Sequence, residues 1–82
     1  MTQFEEMIKV DNESLFFYFI QIDIRQKFVV TVSKDRQYFV FDMKKDSSEK
    51  WKIIDLVPKW INTIENELSN VINREIKSGK NN

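Results

Sequence analysis

Carboxylates near the ends of the apolar segments are the first side chains in this sequence that could do chemistry. Asp23, Asp42 and Asp55 lie on or beside such segments, and three carboxylates that met would offer oxygen ligands to a hard metal ion. Their spacing does not require that meeting, because aspartates at strand ends usually serve as turn residues or helix caps. We therefore assign no metal-binding residue and no cofactor.

The composition removes the other common catalytic groups. The chain of 82 residues contains neither His nor Cys, which excludes Ser-His triads, thiol nucleophiles and most zinc sites. Ser47 and Ser48 lie in a polar turn with no base nearby, and a single glycine, Gly79, cannot build a glycine-rich phosphate loop. We expect a protein that is not an enzyme and has no catalytic residue.

The balance of apolar and charged residues predicts one soluble domain over residues 1–82. With 41% hydrophobic and 32% charged residues, the chain is too apolar to be disordered and too interrupted by charge to span a membrane. Its first ten residues, MTQFEEMIKV, carry acidic side chains where a secretory signal has a basic start. We expect a cytoplasmic protein with no membrane partner.

Alternation of apolar and polar residues predicts an antiparallel sheet over residues 14–56. The predicted strands are, in order, SLFFYFIQIDI, FVVTVS, QYFVFDM and a short WKII. Their connections are short and polar, which favours hairpins. Residues 1–13 fit two structures: a short helix with Phe4, Met7 and Ile8 on one side, or an edge strand with Phe4, Ile8 and Val10 facing one way.

Apolar residues at spacings of three and four predict one long helix over residues 57–77. They are Val57, Ile61, Ile64, Leu68, Val71, Ile72 and Ile76. Pro58 suits a first helical turn, Asp55 can cap the free amides there, and residues 78–82 form a frayed tail. The predicted fold class is α+β: a three- to four-stranded antiparallel meander followed by one long C-terminal amphipathic helix packed on one sheet face.

Both faces of the predicted sheet carry apolar side chains. The face assigned to the helix holds Phe16, Tyr18, Ile20, Ile22, Phe28, Val30, Val32, Phe39 and Phe41. The opposite face holds the six residues that we predict to bind a partner: Leu15, Phe17, Phe19, Val29, Tyr38 and Val40. Such a patch exceeds what a soluble monomer commonly exposes. Three occupants could cover it: residues 1–13, a second copy of the chain (which could also pair along a strand edge), or another macromolecule.

Basic residues cluster at the turns of one end of the predicted meander. This basic rim comprises Arg25, Lys27, Lys44, Lys45 and Lys50. Cationic loops beside exposed aromatic rings are the ingredients of single-stranded nucleic-acid binding, in which bases stack on the rings. The chain has no net charge, however, and lysines in turns also serve simply to keep hairpin ends soluble, which we favour.

The order of antiparallel strands and then a helix resembles the Whirly-type single-stranded DNA-binding fold. The resemblance is topological, covers Phe28 to Ile72, and includes a loose similarity of WKIIDLVPKW to the junction between strand and helix. It implies a dimer that binds single-stranded DNA, and no binding residue is assigned from it.

From these features we expect a non-catalytic interaction module that forms a homodimer and binds another protein. The abundance of Lys, Asn and Ile, with no Ala, is typical of an AT-rich genome. It suggests an accessory protein of a phage or mobile element that inhibits a host system, such as an anti-defence or anti-CRISPR inhibitor. The alternative is a single-stranded nucleic-acid-binding protein that uses sheet aromatics and basic turns.

Overall fold

A computed structural model describes residues 2–23 and 27–79 of the chain. Five antiparallel strands are followed by two helices: β1 Gln3–Val10, β2 Glu13–Asp23, β3 Lys27–Lys34, β4 Gln37–Lys45, β5 Trp51–Ile53, α1 Lys59–Asn62 and α2 Glu65–Gly79. The strands lie in the sheet in their order along the chain, so that β1 and β5 form its edges. The α+β meander is therefore confirmed, with more strands than the three or four predicted.

Two-residue turns connect β1 to β2 and β3 to β4. Asp11 and Asn12 form the first and Asp35 and Arg36 the second, and all four residues have positive φ angles, between 49° and 67°. Positive φ at both central residues is the signature of the primed turns that match the twist of a hairpin. Three of the four residues are Asp or Asn, which tolerate this region better than most residues. These turns therefore form without the glycine that usually marks them, with Arg36 in the second position of the β3–β4 turn.

The N-terminal residues form a strand, which resolves the two possibilities left open by the sequence. β1 pairs with β2 along its whole length, from Gln3 opposite Ile20 to Val10 opposite Glu13. Ile8 and Val10 are buried, and the ring of Phe4 stacks on that of Phe19 at a centroid distance of 4.7 Å. Residues 3–10 thus extend the sheet at its edge and do not fold over one of its faces.

One face of the sheet, which we call the inner face, lies in a core shared with the helices. Cross-strand partners such as Phe17 and Val32, or Phe19 and Val30, lie side by side on it. The buried apolar side chains are Ile8, Val10, Leu15, Phe17, Phe19, Phe28, Val30, Val32, Phe41, Met43, Trp51, Ile61, Ile64, Leu68, Val71 and Ile72. All strands and both helices therefore contribute to a single core.

The helical segment is divided in two, where one continuous helix was predicted. α1 ends at Asn62 and α2 begins at Glu65, and the hydroxyl of Thr63 donates to the carbonyl of Trp60 between them. Asp55 does not cap α1 as expected: its carboxylate accepts the backbone N–H of Asp42 at 2.6 Å. α2 runs to residue 79, beyond the predicted end, and the remaining predicted tail, residues 80–82, lies outside the described residues.

Side chains of α2 cap the free edge of β5. The backbone N–H of Trp51 donates to Oγ of Ser69 at 2.9 Å, and that of Ile53 donates to Oε2 of Glu65 at 2.7 Å. These two N–H groups point away from β4, where the next strand of a larger sheet would lie. The helix thereby satisfies donors that would otherwise be exposed at this edge.

Asp46 organises the turn between β4 and β5, and we expect its pKa to lie below the ordinary value. Its carboxylate accepts the backbone N–H of Lys50 at 3.0 Å and the hydroxyl of Ser48 at 2.8 Å. These bonds, that to Lys50 first, favour the charged form and lower the pKa of Asp46 from 3.8. A carboxyl whose pKa is depressed by folding stabilises the protein above the unfolded-state pKa and loses that contribution as the pH falls through the folded-state pKa.

A carboxyl-carbon NMR titration of the folded protein checks this expectation, with the urea-unfolded chain as reference. Asp46 should titrate at lower pH in the folded state, and Ser48→Ala should shift its pKa back toward the ordinary value. Equal pKa values in the two states would contradict the assigned hydrogen bonds.

Candidate interaction surface

The face of the sheet opposite the core, which we call the outer face, carries a continuous group of apolar side chains. Register places Met7 beside Phe16, Tyr18 beside Thr31, and Thr31 beside Val40. The central residues of the outer face are Met7, Phe16, Tyr18, Ile20, Val29, Thr31, Tyr38 and Val40. They lie on β1 to β4, so the group crosses most of the sheet.

Several of these side chains are largely exposed. The exposed fraction is 72% for Tyr38, 59% for Phe16, 57% for Val40 and 54% for Met7. Strands about 4.8 Å apart, with same-face residues about 7 Å apart along each strand, give each residue about 34 Å² and the eight residues together roughly 270 Å². The largest apolar patch on an ordinary monomer covers about 300–600 Å² and is often functional, and this group approaches that range.

The predicted assignment of the two faces is wrong for β2. Leu15, Phe17 and Phe19, expected on the exposed face, are 6%, 0% and 0% exposed and belong to the core. Phe16 and Tyr18, expected beneath the helix, are 59% and 39% exposed. Ile22, from the same predicted set, is also exposed. The other three members of the predicted partner-binding set, Val29, Tyr38 and Val40, do lie on the outer face.

The error comes from the end of β2. Gln21 and Asp23 alternate with Ile20 and Ile22, and this alternation favoured the odd-numbered residues as the polar, outward set. In the structure the register shifts between Gln21 and Asp23, at a β-bulge. Before that bulge, Gln21 lies opposite the buried Phe28 and on the inner side with Phe17 and Phe19, whereas Ile22 is exposed. The polarity of the side chains at this end therefore did not report the orientation of the aromatic half.

Lysines define one end of the outer face, which we call the basic end. Lys27 lies opposite Lys44 on β4, and Lys44 lies opposite Lys52 on β5. Lys27 forms an ion pair with Asp42 at 3.1 Å, and Lys52 lies 3.9 Å from Glu65. Lys44 is exposed and makes no ion pair with any residue that the structure describes. Asp55, whose carboxylate accepts the N–H of Asp42, also lies at this end. Three carboxylates therefore accompany the three lysines, and the exposed Lys44 is the cation beside the apolar group that they leave without a described ion pair.

The predicted basic rim is only partly assembled. Lys27 and Lys44 lie together, whereas Lys45 lies opposite the buried Trp51 and pairs with Glu49 at 2.9 Å. Lys50 is exposed in the turn before β5, and Arg25 lies outside the described residues. Lys52 was missed from the basic rim. It lies within the short predicted strand WKII, and the pairing of this strand with β4 places it opposite Lys44.

The three aspartates considered as metal ligands are only partly brought together in the described residues. Asp42 and Asp55 are neighbours through a backbone hydrogen bond, but residues 2–23 and 27–79 contain no group of three side chains suited to a metal ion. The side chain of Asp23 lies outside the described part of the structure. Within the same ranges, neither helix has the length and apolar character needed to cross a membrane.

The geometry of the outer face is the basis for a functional assignment, since similarity to known proteins offers none. No protein-family model matches the chain, and comparison with curated proteins and with solved structures gives no significant match.

Proposed function

We propose that this protein is a non-catalytic interaction module that docks its outer face onto another protein. The observation that supports the proposal is the exposure of aliphatic and aromatic side chains from neighbouring strands on one face. Burying such a group against a complementary surface removes apolar area from water, and central aromatic residues commonly supply most of the binding energy.

The charges beside the apolar group favour one kind of protein partner. Lys27, Lys44 and Lys52 border it at one end. Lys27 and Lys52 lie near Asp42 and Glu65, and Asp55 lies beside Asp42, whereas Lys44 makes no ion pair with a described residue. A protein surface that is apolar at its centre and acidic at one side would therefore complement the outer face in both respects.

Single-stranded nucleic acid is the second candidate, favoured by Phe16, Tyr18 and Tyr38 on the same face as the lysines. Exposed rings can stack on bases while lysines contact phosphates. Met7 and Val40, however, are also more than half exposed there, and aliphatic side chains offer bases no stacking surface. These aliphatic residues favour a protein partner. An inhibitory role in a phage or mobile element stays a prediction.

The double substitution Phe16→Ser with Val40→Ser is expected to abolish partner binding while leaving the fold intact. Both side chains are more than half exposed, so the unfolding free energy should change little, whereas loss of two central contacts should weaken binding at least ~30-fold. Quantitative affinity capture from source-cell extract, followed by titration calorimetry with the purified captured protein, measures this. Leu56→Ser is the control, because Leu56 is fully exposed outside the outer face.

A captured protein that binds the double variant and the wild type equally well would contradict the proposal. Fluorescence anisotropy with an oligothymidine probe distinguishes the second candidate. If the probe binds, and binding weakens steeply with salt and is lost on substitution of Phe16, the result would support a nucleic-acid partner over a protein partner.

A further inference from the structure

The outward edge of β1 carries unpaired backbone groups. The carbonyl of Thr2 accepts the N–H of Gln21 on β2 at 2.8 Å, so even-numbered residues of β1 direct their backbone groups toward β2. In an antiparallel pair the intervening residues direct theirs away. The outward set is therefore Gln3, Glu5, Met7 and Lys9.

The two edges of the sheet differ in how these groups are treated. At β5 the outward N–H groups of Trp51 and Ile53 are capped by Ser69 and Glu65. Among the residues that the structure describes, β1 has no corresponding caps, although it is eight residues long against three for β5. Long uncapped edges are the usual sites of pairing with another strand.

The charges on β1 are self-complementary. Glu5 and Lys9 are both exposed on the outer face, at equal distances on either side of Met7. Neither makes an ion pair with another described residue. Two copies of this strand, related by a two-fold axis at Met7 and running antiparallel, would bring each glutamate opposite a lysine of the other copy.

We propose that two copies of this chain pair through β1, with Met7 opposite Met7 of the partner subunit and Glu5 opposite Lys9 of the partner subunit. In this register Glu5, Met7 and Lys9 all present outward backbone groups, so about six hydrogen bonds join the two strands. Opposite charges directly across from each other stabilise an antiparallel pair.

Neighbouring registers lack this match. Shifting the pairing so that Met7 faces Glu5 of the partner subunit places Glu6 opposite itself at the two-fold axis. Shifting it the other way places Met7 opposite Lys9 of the partner subunit and leaves Glu5 facing an aspartate in the turn. Like charges directly opposite each other are destabilising, so the proposed register is the one that satisfies both charges.

The two-fold axis of this pair is perpendicular to the sheet. Both outer faces consequently lie on the same side of one continuous sheet, and both remain free to bind. Met7 belongs to both surfaces, but the charges that set the pairing, Glu5 and Lys9, lie outside the central group of the outer face, and Phe16 and Val40 lie away from the edge of β1. The pairing and the proposed function can therefore fail independently.

Charge reversal on β1 tests the register. Light scattering after size-exclusion chromatography should show a dimer for the wild type, whereas Glu5→Lys or Lys9→Glu alone should weaken dimerisation by ~10-fold or more. Combining both substitutions in one chain restores the charge match, and so does mixing the two single variants. Glu67→Lys, an equal change of charge on the exposed side of α2, should leave the dimer intact.

Met7→Pro tests the backbone bonds separately. The N–H of Met7 points away from β2, so proline is compatible with folding at this edge but removes donors from the pairing. Circular dichroism should show a folded chain and light scattering a monomer. A wild type that stays monomeric at high concentration would overturn the proposal, as would a dimer insensitive to both the charge reversals and a folded Met7→Pro variant. If Met7→Pro fails to fold, the charge reversals decide alone.

Discussion

Truncation of Phe19 to Ala is expected to lower the free energy of unfolding by about 3–5 kcal/mol, the usual cost of removing a buried phenylalanine. The side chain is fully buried, and its ring stacks on Phe4 at 4.7 Å. Across the pair of strands it lies beside Val30, which is also fully buried. Because small domains are stable by only about 5–10 kcal/mol, this one substitution removes much of the total.

Phe16 is the matched control on the same strand. It lies on the outer face and is 59% exposed, so Phe16→Ala should cost less than about 1 kcal/mol. Urea unfolding followed by circular dichroism compares the two variants directly. A larger loss of unfolding free energy for Phe16→Ala than for Phe19→Ala would contradict the described orientation of β2. It would support the faces predicted from the sequence.

Trp51→Ala is the second substitution with a large expected effect, again about 3–5 kcal/mol. The indole is fully buried, meets Phe28 edge-on at 5.0 Å, and donates from Nε1 to Oδ1 of Asn73 at 3.0 Å. Its removal leaves a cavity between sheet and helix and leaves Asn73 without this donor. We therefore expect α2 to separate from β5 as well as a loss of global stability.

Trp51→Phe separates the contribution of ring packing from that of the indole hydrogen bond, because it keeps an aromatic ring and removes the indole N–H. Its cost should be smaller, about 1–3 kcal/mol, and should include the loss of the donor to Oδ1 of Asn73, whose Nδ2 still donates to the carbonyl of Glu49. Hydrogen exchange at the Trp51 and Ile53 amides reports whether Ser69 and Glu65 still cap the edge. If Trp51→Ala unfolds at the same urea concentration as the wild type, Trp51 is not the anchor that we describe.

Much of the fold follows from local patterns in the sequence. Alternation over FVVTVS and QYFVFDM identified β3 and β4, and the spacing of Ile61, Ile64, Leu68 and Ile72 identified a helical segment. Hairpin registers could not be obtained in this way, since the turns at Asp11–Asn12 and Asp35–Arg36 use non-glycine residues with positive φ. The division between α1 and α2 likewise leaves no clear mark in the apolar spacing.

The candidate site was harder to predict because it depends on the relative orientation of whole strands. The prediction correctly placed Val29, Tyr38 and Val40 on one face. It combined them with the odd-numbered residues of β2, which are buried, instead of the even-numbered ones. The missing information was the tight turn at Asp11–Asn12, which pairs Ile8 with Leu15 and so places Leu15 on the core side with Ile8 and Val10. The prediction of an edge strand in residues 1–13 already placed Ile8 and Val10 on one side. The length of the following turn is also needed to work out which residues of β2 share that side.

The capping of β5 by Ser69 and Glu65 also bears on how far assembly can proceed. A sheet open at both edges can add copies at each end without limit, which is the route to fibres. Here α2 caps the β5 edge with its own side chains, so the proposed pair joined through β1 would present a capped edge at each end and would not add further copies. Hydrogen bonds that stabilise a single chain would thereby also make its association self-limiting.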